Sequence, residues 1–182
     1  MTSLVLAALL YATPAPQANV FTLETHWRAE DGSDRAFSTL KGRPFVLAFI
    51  YTSCPGTCPL TTAKLKRLDA ALKAQKTPLP MVVVSLDPEH DTPQAVHHYR
   101  ERYALEHAEH WSVFVGAEAA LRTLTQLLDF KYAQNPESKQ IMHDNTVYLI
   151  SRGGEVLTAL SSLDDSSAPL LEQAAQSEGK QR

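Results

Sequence analysis

Cysteine is nearly absent: positions 54 and 58 hold the only two among 182 residues. An iron–sulfur cluster, which needs four cysteine-type ligands, is thereby excluded. Neither sign of charge dominates. A net charge of −3 gives no electrostatic reason to expect nucleic acid as a partner. Long apolar runs are missing too: none reaches the roughly 18 residues of a full membrane span. There is no internal repeat, and no linker long enough to set off a second domain. What is present is an ordinary globular composition, 44% hydrophobic and 20% charged, in a length that fits one domain with a real core.

The first 18 residues differ from the remainder, 19–182, which reads as the folded domain. Leu4 to Ala12, "LVLAALLYA", is a short apolar segment followed by the Pro/Ala-rich "TPAPQA". It reads as the apolar core of a secretory signal or the remnant of an anchor. The first basic residue is Arg28, so the charged leader end of such a signal is missing. The competing reading is an apolar tail.

Along the domain, strand and helix patterns alternate. "TLETHWRAEDGSDRAFS" predicts two short strands around the turn dipeptide Asp31-Gly32. "PFVLAFIY", Pro44 to Tyr51, is a continuous apolar run, as expected of a strand buried on both faces. A helical period then runs from Thr57 to Gln75, with Thr61, Leu65, Leu68 and Leu72 on one stripe and Lys64, Lys66, Arg67 and Lys73 off it. "MVVVSL", Met81 to Leu86, is a second buried strand. Thr92-Pro93 starts a helix whose inner stripe is Val96, Tyr99 and Tyr103. Trp111 to Val115 is a third strand, and Leu121, Leu124 and Leu128 mark the next helix. "FKYAQNPESKQIMHD" reads as polar and irregular, able to swing whatever it carries. "TVYLI" and "EVLTAL" form a hairpin around Arg152-Gly153-Gly154, and 168–176 can make a last helix. This order calls for an α/β fold with a central mixed sheet flanked by helices, an N-terminal hairpin and a loop insertion before the C-terminal hairpin. A thioredoxin-like fold with insertions gives it.

Cys54 and Cys58 sit where the first buried strand hands over to a helix N-terminus. That is the carboxyl edge of the sheet, where open α/β sheets build sites. Unpaired N–H groups and the helix dipole favour thiolate there. Residues four apart on a helical turn have Cα atoms roughly 6 Å apart, within reach of a disulfide, and both sulfurs can face one ion. The pair is therefore a redox couple, a metal clip, or both in alternation. Two thiolates suit Cu(I), which two or three soft ligands satisfy; structural zinc normally takes four protein ligands. Seven histidines are candidates for a third donor. His26 reads as structural. His90 lies in a loop on the correct edge. His97 and His98 fall in a helix, and His107 and His110 form a solvated run after it. His143 stands just before a strand, after a polar segment able to swing it, and position alone favours a loop histidine capping the strand end over a ligand.

Three blocks, "FIYTSCPGTCPLTTAKL", "VVSLDPEHDTPQAVHHY" and "IMHDNTVYLI", together resemble the Sco/SenC family, thioredoxin-fold proteins associated with assembly of the dinuclear copper centre of cytochrome c oxidase. The likeness runs from about Phe21 to Leu160. It implies copper ligands at Cys54, Cys58 and His143. It further implies that Asp87 either orients a ligand or docks a partner, beside a plain role as a turn former before Pro88. Gly56 stands where many members carry aspartate, and Ser53 where many carry histidine. No proline precedes the "TVYLI" strand, which suits metal binding over dithiol exchange. The resemblance implies a copper metallochaperone, periplasmic or associated with the inner membrane and facing the periplasm. Its partners would be the copper-site subunit of the oxidase and other copper carriers. The competing reading is a thiol–disulfide oxidoreductase that uses Cys54 and Cys58 to reduce the cysteines of that subunit. A structural adaptor with a locked disulfide is a third. A peroxiredoxin is disfavoured, since neither cysteine has the Pro-x-x-x-Thr-x-x-Cys setting.

Overall fold

The dipeptide Asp31-Gly32 joins two short antiparallel strands, β1 (Trp27–Arg28) and β2 (Asp34–Arg35), as the sequence predicts. Gly32 takes φ +79°, which a side chain would disfavour, and Asp31 accepts the Ser33 N–H to tighten the turn. The computed structural model describes residues 18–179 apart from Pro55, Thr57 and Glu106, so the apolar segment from Leu4 to Ala12 lies outside the described residues.

The apolar run becomes β3 (Phe45–Ile50), buried at all six positions. The helical period after the cysteines becomes α1 (Cys58–Ala74), and its stripe Thr61, Leu65, Leu68 and Leu72 is buried as expected. Lys64, placed off that stripe by its spacing, is buried as well. Its long stem is covered while the ammonium donates to the carbonyls of Ser162 (2.5 Å) and Asp165 (3.2 Å). Next come β4 (Met81–Ser85) and α2 (Pro93–Arg102), where the Thr92 hydroxyl accepts the Ala95 N–H as an N-cap. Then follow β5 (Trp111–Gly116) and α3 (Glu118–Leu127).

The segment expected to be irregular is a hairpin instead: β6 (Tyr132–Gln134) pairs with β7 (Ile141–His143), and His143 faces Tyr132. The Asn135 side chain closes its turn by accepting the Glu137 and Ser138 N–H groups. Two strands of three residues, with Ile141 alone buried, are too short to leave a periodic signal to read. The consequence is functional: His143 is the last residue of a strand, not a passenger on a swinging loop. The chain ends with β8 (Val147–Ile150), β9 (Val156–Leu160) and α4 (Ala168–Gly179).

The main sheet has the order β2-β1-β5-β4-β3-β8-β9. Strands β3, β4 and β5 are parallel, while β1, β8 and β9 run antiparallel to their neighbours. This is the mixed sheet with flanking helices expected from the sequence. Its direction of travel positions the site. The loops leaving β3 and β4 emerge at the carboxyl edge. Because β8 is antiparallel to β3, with Val147 facing Ala48, the lead-in to β8 arrives at that same edge. Two distant parts of the chain meet there for topological reasons alone.

Candidate metal centre

Where β3 ends, Tyr51 accepts the Cys54 N–H at 3.2 Å, turning the chain out of the sheet. Cys54 is half-buried, and its sulfur accepts the N–H of Cys58, the residue that opens α1, at 3.4 Å. Cys58 is buried at 2% exposure. Its Sγ lies 3.7 Å from Nε2 of His143. On the other side of the ring, Nδ1 lies 2.6 Å from the carbonyl oxygen of Asp144. A carbonyl only accepts, so Nδ1 carries a proton, and Nε2 is the ring nitrogen that faces the sulfurs.

The two Sγ atoms and the imidazole nitrogen all lie within 4.8 Å of one another. Donors placed roughly 2.0–2.3 Å from a shared ion in a trigonal plane would stand about 3.8 Å apart. The observed spacing needs only a small contraction to meet that. Among the described residues this is the one group of three or more potential ligands that converges.

The two thiols are electrostatically unequal. Burial pushes Cys54 up, but hydrogen bonds from the Cys58 thiol, the Cys58 and Gly56 N–H groups and the Tyr51 hydroxyl outweigh it and leave the thiol below its ordinary value. Cys58 is pushed well up, first by burial and then by its neighbour Cys54, with the Asp91 carboxylate adding to the effect. Iodoacetamide at neutral pH is therefore expected to alkylate Cys54 roughly tenfold or more faster than Cys58 in the reduced protein, as read by peptide mass spectrometry. Equal labelling of both would contradict this asymmetry.

An aromatic wall surrounds the imidazole. Phe130 lies nearly parallel to it, with centroids 6.1 Å apart and planes at 25°, and Tyr51 meets it edge-on at 6.1 Å. Phe49 packs behind Phe130 at 4.2 Å. Burial is the main cause raising the Tyr51 hydroxyl to about 12, with Cys54 adding to it. Phe130 and Tyr51 both escape sequence reading. Tyr51 looks like the end of a strand, and Phe130 opens a segment with no pattern.

Asp87 is not part of the convergence. Its carboxylate bonds the Nδ1 nitrogen of His90 at 2.8 Å and lines a cleft of about 1100 Å³ bounded by α3 and the β6–β7 hairpin. His26 lines the same cleft. His97 and His98 are exposed and pair with Glu101. His107 is exposed, and His110 bonds Asp69 of α1. The carboxylate that does reach the cysteine segment is Asp91, fully buried and hydrogen-bonded to Thr52. Burial raises it above the usual carboxylate range, against the hydrogen bonds from Ser85 and Thr52. Standing before a helix cap in "DPEHDTP", it reads as one more turn residue, and no local pattern marks it as buried.

A SCO1 protein homolog of Bacillus subtilis is 28% identical over 138 residues, which make up 75% of this chain and 71% of that protein. The crystal structure of a SCO1/SenC family lipoprotein from Bacillus anthracis superposes with a TM-score of 0.78 at 24% identity, covering 86% of this chain and 94% of that one. ScoI of Bradyrhizobium japonicum with copper bound gives a TM-score of 0.70 at 20% identity, over 84% of this chain and 96% of that one. The fold is thus that of Sco proteins. The family model described as SCO1/SenC matches residues 16–176, nearly the whole described chain, and the chain belongs to the SCO1/SenC family.

Proposed function

We propose that this protein is a copper metallochaperone whose cargo is held by Cys54, Cys58 and His143. The observation that carries the reading is the convergence of two sulfurs and an oriented imidazole nitrogen on one point. Two thiolates and a neutral imidazole form a soft, three-coordinate site of net charge near −1 around Cu(I), with no donor to spare for a metal that demands four. Low coordination makes the cargo transferable: an incoming partner thiolate can add to the ion before any resident ligand leaves. His143 does not swing out to permit this, since Asp144 and the aromatic wall hold its ring.

The acceptor in this reading is the copper-site subunit of cytochrome c oxidase, with other copper carriers as donors. Asp87 acts in docking, because it faces the cleft beside the hairpin that carries His143 and not the sulfurs. Attachment to a membrane through the N-terminal segment, with the domain facing the periplasm, completes the proposal. Among the described residues no helix is long and apolar enough to cross a membrane.

The test is a titration of the reduced protein with Cu(I) against a chromogenic chelator. One equivalent is expected to bind, and His143→Ala should keep binding but weaken it by roughly 10–100-fold, because the two soft thiolates that remain still hold Cu(I). Wild-type affinity in His143→Ala would remove the imidazole from the site.

The unequal thiols favour a second reading, dithiol exchange with a partner disulfide. Cys54, half-exposed and lowered, attacks one partner sulfur and expels the other as thiolate. Cys58 then gives up its proton, attacks Cys54 and releases the partner's second sulfur as thiolate. The partner gains two electrons, and this chain ends as the Cys54–Cys58 disulfide. Cys58→Ser should then accumulate a mixed disulfide through Cys54. Absence of any trapped adduct with a disulfide peptide would exclude this second activity.

A further inference from the structure

We infer that Asp91 is a positioning residue for the sulfur pair, acting through Thr52. The inference rests on the copper reading above and is tested by two readouts, of which one is independent of copper. Asp91 is wholly shielded from solvent at 0% exposure. Its two oxygens accept the Thr52 N–H at 3.1 and 3.2 Å, the Thr52 hydroxyl at 2.6 Å and the Ser85 hydroxyl at 2.5 Å. A buried carboxylate persists only when its lone pairs are filled, and here they are filled from two strand ends: Thr52 beyond β3 and Ser85 closing β4. The donor set is built around the anion.

The placement of Thr52 gives this clamp its meaning. Thr52 lies inside the turn that Tyr51 and Cys54 close, in which the Tyr51 carbonyl accepts the Cys54 N–H. Fixing both the N–H and the hydroxyl of Thr52 leaves that turn little freedom. The turn in turn sets where Cys54 Sγ stands relative to the N–H of Cys58, 3.4 Å away. Asp91 is itself anchored, its own N–H donating to the Asp87 carbonyl at 2.9 Å. The second sequence block thereby holds the first. Charge-assisted hydrogen bonds are short and directional, so they suit a role in which a displacement of a few tenths of an ångström matters.

Clamp and charge are separable by substitution. Asp91→Ala deletes both. Asp91→Asn keeps an oxygen acceptor for Thr52, and its amide group can donate to Ser85 Oγ, so geometry survives and charge is lost. Thr52→Val deletes the hydroxyl bond with little change in volume. Each variant, shown folded by circular dichroism, is measured for Cu(I) affinity by chelator competition. Each is also measured for its dithiol–disulfide equilibrium with glutathione, in which one glutathione disulfide takes up the two electrons and two protons of the thiol pair to give two glutathione thiols. Asp91→Ala is expected to lose roughly tenfold in Cu(I) affinity, which is 1.4 kcal/mol, and to shift the glutathione equilibrium roughly tenfold toward the dithiol. Thr52→Val should show much of both effects, and Asp91→Asn should stay within about threefold of wild type. Wild-type values in folded Asp91→Ala and Thr52→Val overturn the inference, and so does Asp91→Asn as impaired as Asp91→Ala. Should Asp91→Ala not fold, Thr52→Val decides. Should the wild type bind no Cu(I), the copper reading fails and the glutathione equilibrium decides on Asp91 alone.

Discussion

Replacing Cys58 by serine, or oxidising the Cys54–Cys58 pair to a disulfide, is expected to lower Cu(I) affinity by roughly a thousandfold or more. Structural zinc sites contribute about 10–16 kcal/mol, and at a soft ion a thiolate carries more of such a total than a neutral imidazole, so loss of one sulfur costs about 4 kcal/mol or more. The cost concentrates at Cys58 because its sulfur is buried and faces Nε2 of His143, so the serine hydroxyl has neither the softness nor the room to be replaced by water. Only thiolate binds the ion, and the disulfide has none to offer. The Cys58 thiol is held well above its ordinary value, so its proton must leave on binding. Cys54, held below its ordinary value, gives up its proton more readily. Linkage then sets the sign: affinity rises with pH, by roughly 10–100-fold per unit, for as long as both sulfurs start protonated or nearly so. Chelator competition on reduced, oxidised and Cys58→Ser protein at two pH values checks all of this. Stoichiometric, pH-independent binding by Cys58→Ser would mean the ion sits elsewhere.

Strands buried on both faces announce themselves as apolar runs, and so β3, β4 and β8 are legible to within a residue or two. The cap at Thr92 is legible because proline tolerates only the first turn of a helix. The cysteines are legible because a strand-to-helix junction is the one place where their spacing points both sulfurs the same way. His143 is different. From position alone it reads as a strand-capping histidine, and only the resemblance to a family raised it to a ligand. The structure supplies the physical reason: β8 is antiparallel to β3, so the residues before it return to the carboxyl edge. Sheet order is a long-range property, and no window of sequence holds it. The same holds for Asp91, whose partners Thr52 and Ser85 come from two other strand ends. Asp87, more prominent in its motif, turns toward His90 and the cleft. The β6–β7 hairpin is not legible because each strand is three residues long and only Ile141 is buried, leaving no apolar period to detect.

Phe49→Ala is expected to destabilise the fold by about 3–5 kcal/mol, the usual cost of deleting a buried phenylalanine ring. Phe49 is 2% exposed in the middle of the sheet, with its backbone paired to Val84 on one side. Its ring meets Phe130 at 4.2 Å, and Phe130 in turn lies against the imidazole of His143. The substitution therefore opens a cavity directly behind the wall that holds the ligand. At roughly 2–4 °C per kcal/mol for a domain of this size, the midpoint of thermal unfolding should fall by about 10 °C. Phe49→Leu keeps most of the apolar volume and should cost far less, which separates cavity formation from loss of the aromatic contact. If the ring stack helps to aim His143, both variants lose Cu(I) affinity while still folded, and Phe49→Leu does so out of proportion to its small loss of stability. Denaturation curves paired with chelator competition on the same samples measure the two effects together. A loss below about 1 kcal/mol in Phe49→Ala would show that the core closes over the gap, and unchanged copper affinity in both variants would confine the aromatic wall to a role in stability.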